Sequence, residues 1–419
     1  MTMETKTLPV DGTVAAGFEP VRQAFINGQH DLGGGGGGFA AYVGGVPVVD
    51  LWGGWARPGQ PWERENLGVI MSSTKGLVTM CAQILVDRGQ LDVEAPVAHY
   101  WPEFAQAGKE RITVRHVMTH TSGVLGFDVA RPALGWDGSG WGDYDAIAAG
   151  LAAATPRWEP GTAFGYHATS YGWLMGEVVR RVSGQSVGVF FAKELAGPLG
   201  LEAWIGTPPE QKGNVAHLTD DMANGLPLPM RLIFSRVQKR LRNPKTMPGQ
   251  AFVGDGTFSI MDKAAEMLNA GTWLDFELPF GNGTATARGL ARAYAMLAME
   301  GELDGVRLLS ADAVRRFSTE AICMPDQLMR DSGIPGLSRL LPPVRRTVGY
   351  LLNPRMGKEP PHFGPNLGAF GHDGAGGQIA FCDLDQQVSV GFVRTDLTSS
   401  AKFSNELIAS LYACLPPRG

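Results

Sequence analysis

The pattern of apolar positions is clearest between Ser72 and Arg88. Leu77, Met80, Cys81, Ile84 and Leu85 fall at i, i+3, i+4, i+7 and i+8, which predicts a helix with one buried face, and Gly89 follows as its left-handed cap. A second helix is predicted over Tyr171–Val182, where Leu174, Met175, Val178 and Val182 share a face and Gly184 ends the run. Val14 to Asn27 reads as a third helix, closed near Gly28. Alternation with period two marks strands elsewhere. Residues 39–54 give two β-rich runs around Gly44-Gly45, and residues 377–395 give two more around a turn at 383–387. A final amphipathic helix carries Leu407, Ile408 and Leu411.

Strands thus cluster at both ends of the chain, while residues 96–284 are rich in helix, Trp, Gly and Pro without convincing strand pairs. The expected fold is α+β: an antiparallel sheet flanked by helices, built from residues 1–95 and 285–419, with an inserted, mainly helical domain at 96–284. A chain of 419 residues also exceeds the usual size of one compact domain.

Composition narrows the partners. With 36 Lys+Arg against 41 Asp+Glu the net charge is -5, too balanced for a nucleic-acid or anionic-membrane footprint. No apolar window approaches the length of a membrane span, and the first residues lack the apolar core of a secretory signal, so a cytoplasmic protein is expected. The four cysteines, Cys81, Cys323, Cys382 and Cys414, are scattered without a CxxC pair, which argues against a disulfide framework or a zinc site. Assembly into a homo-oligomer is left open. The stretch Arg231–Lys245 holds six cations and no acid and reads as a solvated surface helix.

The sharpest chemical signal is Ser72-Ser73-Thr74-Lys75 at the start of the first long helix. Residues three apart share a helical face, so the Ser72 hydroxyl and the Lys75 amine can meet. A serine becomes a nucleophile only when a neighbour takes its proton, and a lysine can do so when burial or nearby charge lowers its pKa. Three other patterns compete. The six glycines Gly33–Gly38 satisfy a phosphate-loop pattern trivially, but they lead into a hairpin, so the run is expected to be a flexible lead-in to a strand. Ser186 lies in a GxSxG pentapeptide, but it comes after a helix where a nucleophile elbow requires a strand, and it suits a helix N-cap. His116 and His120 are four apart yet lack a glutamate between them and a third ligand, so no metal site is expected. Cys81 reads as core, and the loop 135–143 reads equally well as a pocket wall or as a segment stapled by buried tryptophans.

The SxxK segment has company: ITVRHVMTHTSGV at 112–124, PGTAFGYHATSYGWLMGEVVRRVSG at 160–184 and FGHDGAGG at 370–377. In this order and spacing the chain resembles the serine β-lactamase and penicillin-binding-protein superfamily, and within it the class C-like branch that includes family VIII carboxylesterases. The resemblance implies a β-lactamase/transpeptidase-like fold and catalytic roles for Ser72 as acylated nucleophile, Lys75 as its proton partner and Tyr166 as the tyrosine that deprotonates serine and activates water. It places His372 and Gly374 where relatives carry Lys-Thr-Gly, and it assigns the N–H groups of Ser72 and Ala375 to the oxyanion hole. His120 is expected to be structural. Two departures stand out: Ala168 replaces an asparagine two residues after the tyrosine, and His372 replaces the lysine that pairs with a substrate carboxylate. These favour a carboxylesterase acting on small acyl esters, without metal or cofactor. A β-lactamase, a D-amino-acid amidase or peptidase, an acyltransferase and a non-catalytic scaffold are the alternatives. The segment 205–280 is expected to cover the cleft and set its preferences.

Overall fold

The computed structural model describes residues 9–128, 131–135, 137–220, 228–256, 259–262, 264–334, 336–337, 341–355, 362–398 and 400–416; side chains at 220 and 228–234 are outside this description. Among the described residues a ten-stranded antiparallel sheet runs in the order 11–14, 46–57, 36–43, 388–394, 378–383, 370–374, 351–352, 344–346 and 322–324, with 60–61 paired to 46–57. Its centre joins the two chain ends: Gly36–Val43 pairs with Val388–Arg394, placing Ala40 opposite Gly391 and Phe39 opposite Phe392.

Alternation along these strands divides the core. Phe39, Ala41, Phe381, Val390 and Phe392 turn to the face covered by the helices Glu19–Gly28 and Lys402–Ala413, where Phe25 and Phe403 meet edge to face at 5.4 Å. Ala40, Tyr42, Phe370, Ala380 and Cys382 turn to the other, packing with Leu77, Met80 and Ile84 of the helix Thr74–Asp87 and with Leu290, Tyr294 and Leu297 of Ala287–Ala298. Cys81 is fully buried there, as its place on the apolar face predicts.

The hairpin turns at Gly44-Gly45, both with positive φ. The helix Ser170–Ser183 ends on Gly184 in the left-handed region, and Ser186 caps the next helix by accepting from the Val189 N–H. Its hydroxyl donates to Glu277 Oε1 at 2.6 Å, so Ser186 serves the loop and not a nucleophile elbow. In the loop 135–143, Trp141 is buried against Trp173, Trp273 and Phe280 and donates to the Gly135 carbonyl, which staples the segment; Trp136 lies outside the described residues. The basic stretch 231–245 falls on the helix Leu228–Arg242, where Arg240 pairs with Asp331 and Arg242 with Asp262; its first residues lie outside the described side chains.

Four expectations need correction. The first helix begins at Glu19, and Asp11–Val14 is instead an edge strand on 46–57, too short to show alternation. The helix predicted from Ser72 starts as a 3-10 turn, Met71–Ser73, before the α-helix at Thr74. The stretch 96–284 is not free of strands: Ala203–Trp204 and Thr284–Ala285 pair in a small sheet with Gly68–Val69, and Thr219–Asp220 pairs with Asp396–Leu397. Two-residue strands carry no periodic signal. Finally, only Gly33–Gly35 lead in to the strand, because Gly36, Gly37 and Gly38 are buried within Gly36–Val43, pressed between neighbours.

A Cβ at Gly37 would lie 2.4 Å from the Val393 carbonyl oxygen, a backbone atom that cannot swing away. Gly37→Ala is therefore expected to lose on the order of 1–3 kcal/mol of stability by overpacking. A denaturant titration showing an unchanged midpoint would contradict this close approach.

Candidate active site

The helix that carries the SxxK segment is entered through Met71, a non-glycine residue at φ +48°. A left-handed residue before the nucleophile costs about 1–2 kcal/mol. The bend aims the first turn of the helix at the end of the strand Phe370–Gly374, which comes so close that a Cβ on Gly374 would lie 2.4 Å from the Ile70 carbonyl oxygen. The Ser73 hydroxyl donates to the His372 carbonyl at 3.0 Å and ties the same two segments together.

Lys75 is inaccessible to solvent, with Nζ 3.0 Å from Ser72 Oγ and 2.7 Å from the Phe280 carbonyl oxygen. Burial, followed by the buried Arg346 guanidinium, holds its amine well below the ordinary lysine range, and Asp373 opposes the shift. A neutral amine has a lone pair for the Ser72 O–H and an N–H for the Phe280 carbonyl, and both contacts fit that state. Tyr166 completes the group. Its ring lies 5.1 Å from Lys75 Nζ and its hydroxyl hydrogen-bonds Ser72. Burial pushes its phenol well above the ordinary tyrosine value, so it rests protonated, with the Ser72 hydrogen bond acting in the opposite sense.

Tyr166 is held by partners from three segments. His120 stacks on it at 5.3 Å and on Tyr171 at 4.8 Å, forming a three-ring pile. His120 Nδ1 accepts from the His167 N–H at 2.9 Å, which fixes its tautomer with the proton on Nε2, and burial keeps the ring neutral. The Ser122 hydroxyl donates to His167 Nε2 at 2.7 Å while His167 Nδ1 donates to the Gly165 carbonyl; burial lowers His167 to about 4. Asp326 accepts from the Tyr166 N–H at 3.4 Å and from the Leu328 N–H at 2.9 Å, and burial raises it to about 6. His120 is structural, as its sequence context suggests, and it also orients Tyr166. His116 caps its own helix, and among the described residues no cluster could hold a metal ion.

A cleft of about 820 Å³ opens over Ser72. Tyr166, Gly374 and Ala375 line it, together with Met71, Ala168, Phe252, Ile260, Met261, Ala264 and Phe280. The segment 205–280 therefore supplies much of its apolar wall. His372, expected to face substrate, does not line the cleft: it is fully buried on the side of the Thr74–Asp87 helix, its ring 6.3 Å from that of Tyr166, and its Nδ1 donates to the Asp373 carbonyl at 2.7 Å. The adjacent Asp373 lines the cleft.

The chain belongs to the beta-lactamase family. The family model named Beta-lactamase matches residues 21–413. The chain is 35% identical over 373 residues to the "Esterase/beta-lactamase LipL" of Mycobacterium tuberculosis, covering 87% of this chain and 78% of that protein. A solved structure of a family VIII carboxylesterase superposes with a TM-score of 0.80 at 31% identity, covering 97% of this chain and 100% of the other. A penicillin-binding-protein homologue from Caulobacter crescentus gives 0.80 at 32% identity over the same shares. These relatives support a serine hydrolase of this fold, and in this chain the SxxK segment, Tyr166 and the strand Phe370–Gly374 come together at one cleft.

Two residues of the site had no sequence signal: Asp326, and Arg346 on the strand Val344–Arg346. Arg346 is fully buried, donates from Nη2 to the Gly349 carbonyl, and has no partner for Nε or Nη1 among the described residues. Its charge depresses Lys75, so removing it should raise the lysine pKa and make the neutral amine available only at higher pH. Arg346→Met is expected to move the acid limb of the kcat/KM profile upward in pH; an unmoved limb would show that Lys75 is held neutral by burial alone.

Proposed function

We propose that this chain is a carboxylesterase that cleaves small acyl esters through an acyl-enzyme on Ser72. The observation that carries the reading is the 3.0 Å contact of Ser72 Oγ with an inaccessible Lys75 amine, at the floor of a largely apolar cleft. The proton states support a division of labour. Lys75, depressed, takes the Ser72 proton as the hydroxyl attacks the ester carbonyl. The developing oxyanion falls to the N–H groups of Ser72 and Ala375. Tyr166, protonated at rest, gives its proton to the departing alkoxide, and the Lys75 ammonium beside it stabilises the phenolate and restores its proton. A water that enters as the alcohol leaves attacks the acyl-enzyme, with the same pair as base, and releases the acid.

The wall supports esters over lactams and peptides. Ala168 stands in the cleft where an amide side chain would grip an amide-bearing substrate, and His372 is buried and does not line the cleft. The names of the relatives include both activities, so a chromogenic cephalosporin is the direct comparison substrate.

Ser72→Ala is expected to abolish hydrolysis of p-nitrophenyl butyrate and labelling by a fluorophosphonate; activity within tenfold of the parent would remove Ser72 as nucleophile. Tyr166→Phe should slow turnover by about 10²-fold or more, the usual worth of a positioned proton donor or base. A near-normal rate would leave Lys75 to carry the proton transfers alone.

A further inference from the structure

The wall of the cleft carries a charge that the chemistry above does not use. On the strand Phe370–Gly374, His372 and Gly374 pack toward the Ser72 turn, and Asp373 lines the rim of the cleft, where it also borders a second cavity beside Val344 and Leu352. Its carboxylate is about half exposed, at 49%. Among the described residues lining the cleft it is the only one with a charged side chain; its neighbours there are apolar or carry hydroxyls, such as Ser72, Thr169 and Tyr166.

Nothing described at the surface neutralises it. The His372 ring, 3.8 Å away, is kept uncharged by burial and by the buried Arg346 guanidinium. The Lys75 amine rests neutral and the Arg346 charge has no solvent access, so a substrate can touch neither in place of Asp373. Arg346 is also near Asp326, Tyr166 and Tyr171, which share its field. Among the described residues, a group that enters the cleft beside Ala375 meets one carboxylate against a mainly apolar surface.

We propose that Asp373 is a specificity-determining residue, and that the cleft takes esters joining an apolar chain to an ammonium-bearing group while disfavouring esters with a carboxylate in that place. The inference rests on the ester reading and names its substrate class. The apolar part packs against Phe252, Ile260, Met261 and Phe280, and the cation pairs with Asp373 at the rim. For a half-exposed carboxylate one unit of opposite charge is worth about tenfold in kcat/KM, and a like charge costs about the same.

Three butyrates of similar shape test it at low ionic strength by proton release: butyrylcholine, its uncharged isostere 3,3-dimethylbutyl butyrate, and 3-carboxypropyl butyrate. The ammonium ester is expected to exceed the neutral one about tenfold and the carboxylate ester to fall about tenfold below it, with both ratios moving toward one in about 1 M salt. Asp373→Asn should bring the ratios near one and Asp373→Lys should invert them. Because the parent protein alone yields the ratios, a variant that fails to fold does not decide the matter. Equal rates on all three esters, all lost in Ser72→Ala, would overturn the charge preference and leave the esterase standing. Failure to turn over even the neutral ester, or turnover that survives Ser72→Ala, would overturn both.

Discussion

An amine with no route to water sits 3.0 Å from the Ser72 hydroxyl, and most of the structure around the cleft serves to keep it there. Taking an ammonium out of water is costly enough that a lysine in such a place gives up its proton instead. The fold exploits that cost twice. It encloses Lys75 between the first turn of its helix and the Phe280 carbonyl, and it sets a second buried cation, Arg346, at longer range. The neutral amine then holds a free lone pair beside the Ser72 hydroxyl.

The same logic explains the tyrosine. A phenol enclosed with two potential cations would ionise readily if either were charged and close, yet burial dominates and Tyr166 keeps its proton. The pair is poised, with the acceptor and the donor on either side of one hydroxyl. Their alignment depends on rings and not on charges: Tyr171, His120 and Tyr166 stack in sequence, and Thr79 Oγ1 links Tyr171 at 2.6 Å to the Lys75 carbonyl at 2.9 Å. Lys75 and Tyr166 are thus registered to each other through the helix Thr74–Asp87.

The parts of this arrangement that were legible in the sequence are those with local periodicity or a compact motif. The SxxK spacing, the capped helix before Gly184 and the hairpin at Gly44-Gly45 each declare themselves within about a dozen residues. The cleft wall does not, because Phe252, Ile260 and Met261 come from short irregular turns where neither period applies. Arg346 and Asp326 were invisible for a different reason: their roles arise from strands and bridges that bring distant segments together, and one charged residue in a strand reads as solvent-facing. His372 misled because a motif position predicts which residue lies near the site but not whether its side chain stays open to the cleft. The glycine run misled because composition suggested mobility, whereas the same lack of side chains permits close backbone packing in the sheet.

The centre of that sheet has a temporal consequence. The Gly36 N–H binds Thr395 Oγ1 across 359 residues of chain, and Gly36–Val43 finds its second neighbour only in Val388–Arg394. On the ribosome the strand must wait for nearly the whole polypeptide before its open edge is covered. The third-motif strand that closes the cleft is itself made late, at Phe370–Gly374. A growing chain therefore carries the helix with Ser72 and Lys75 long before it carries the strand that lines the cleft opposite them.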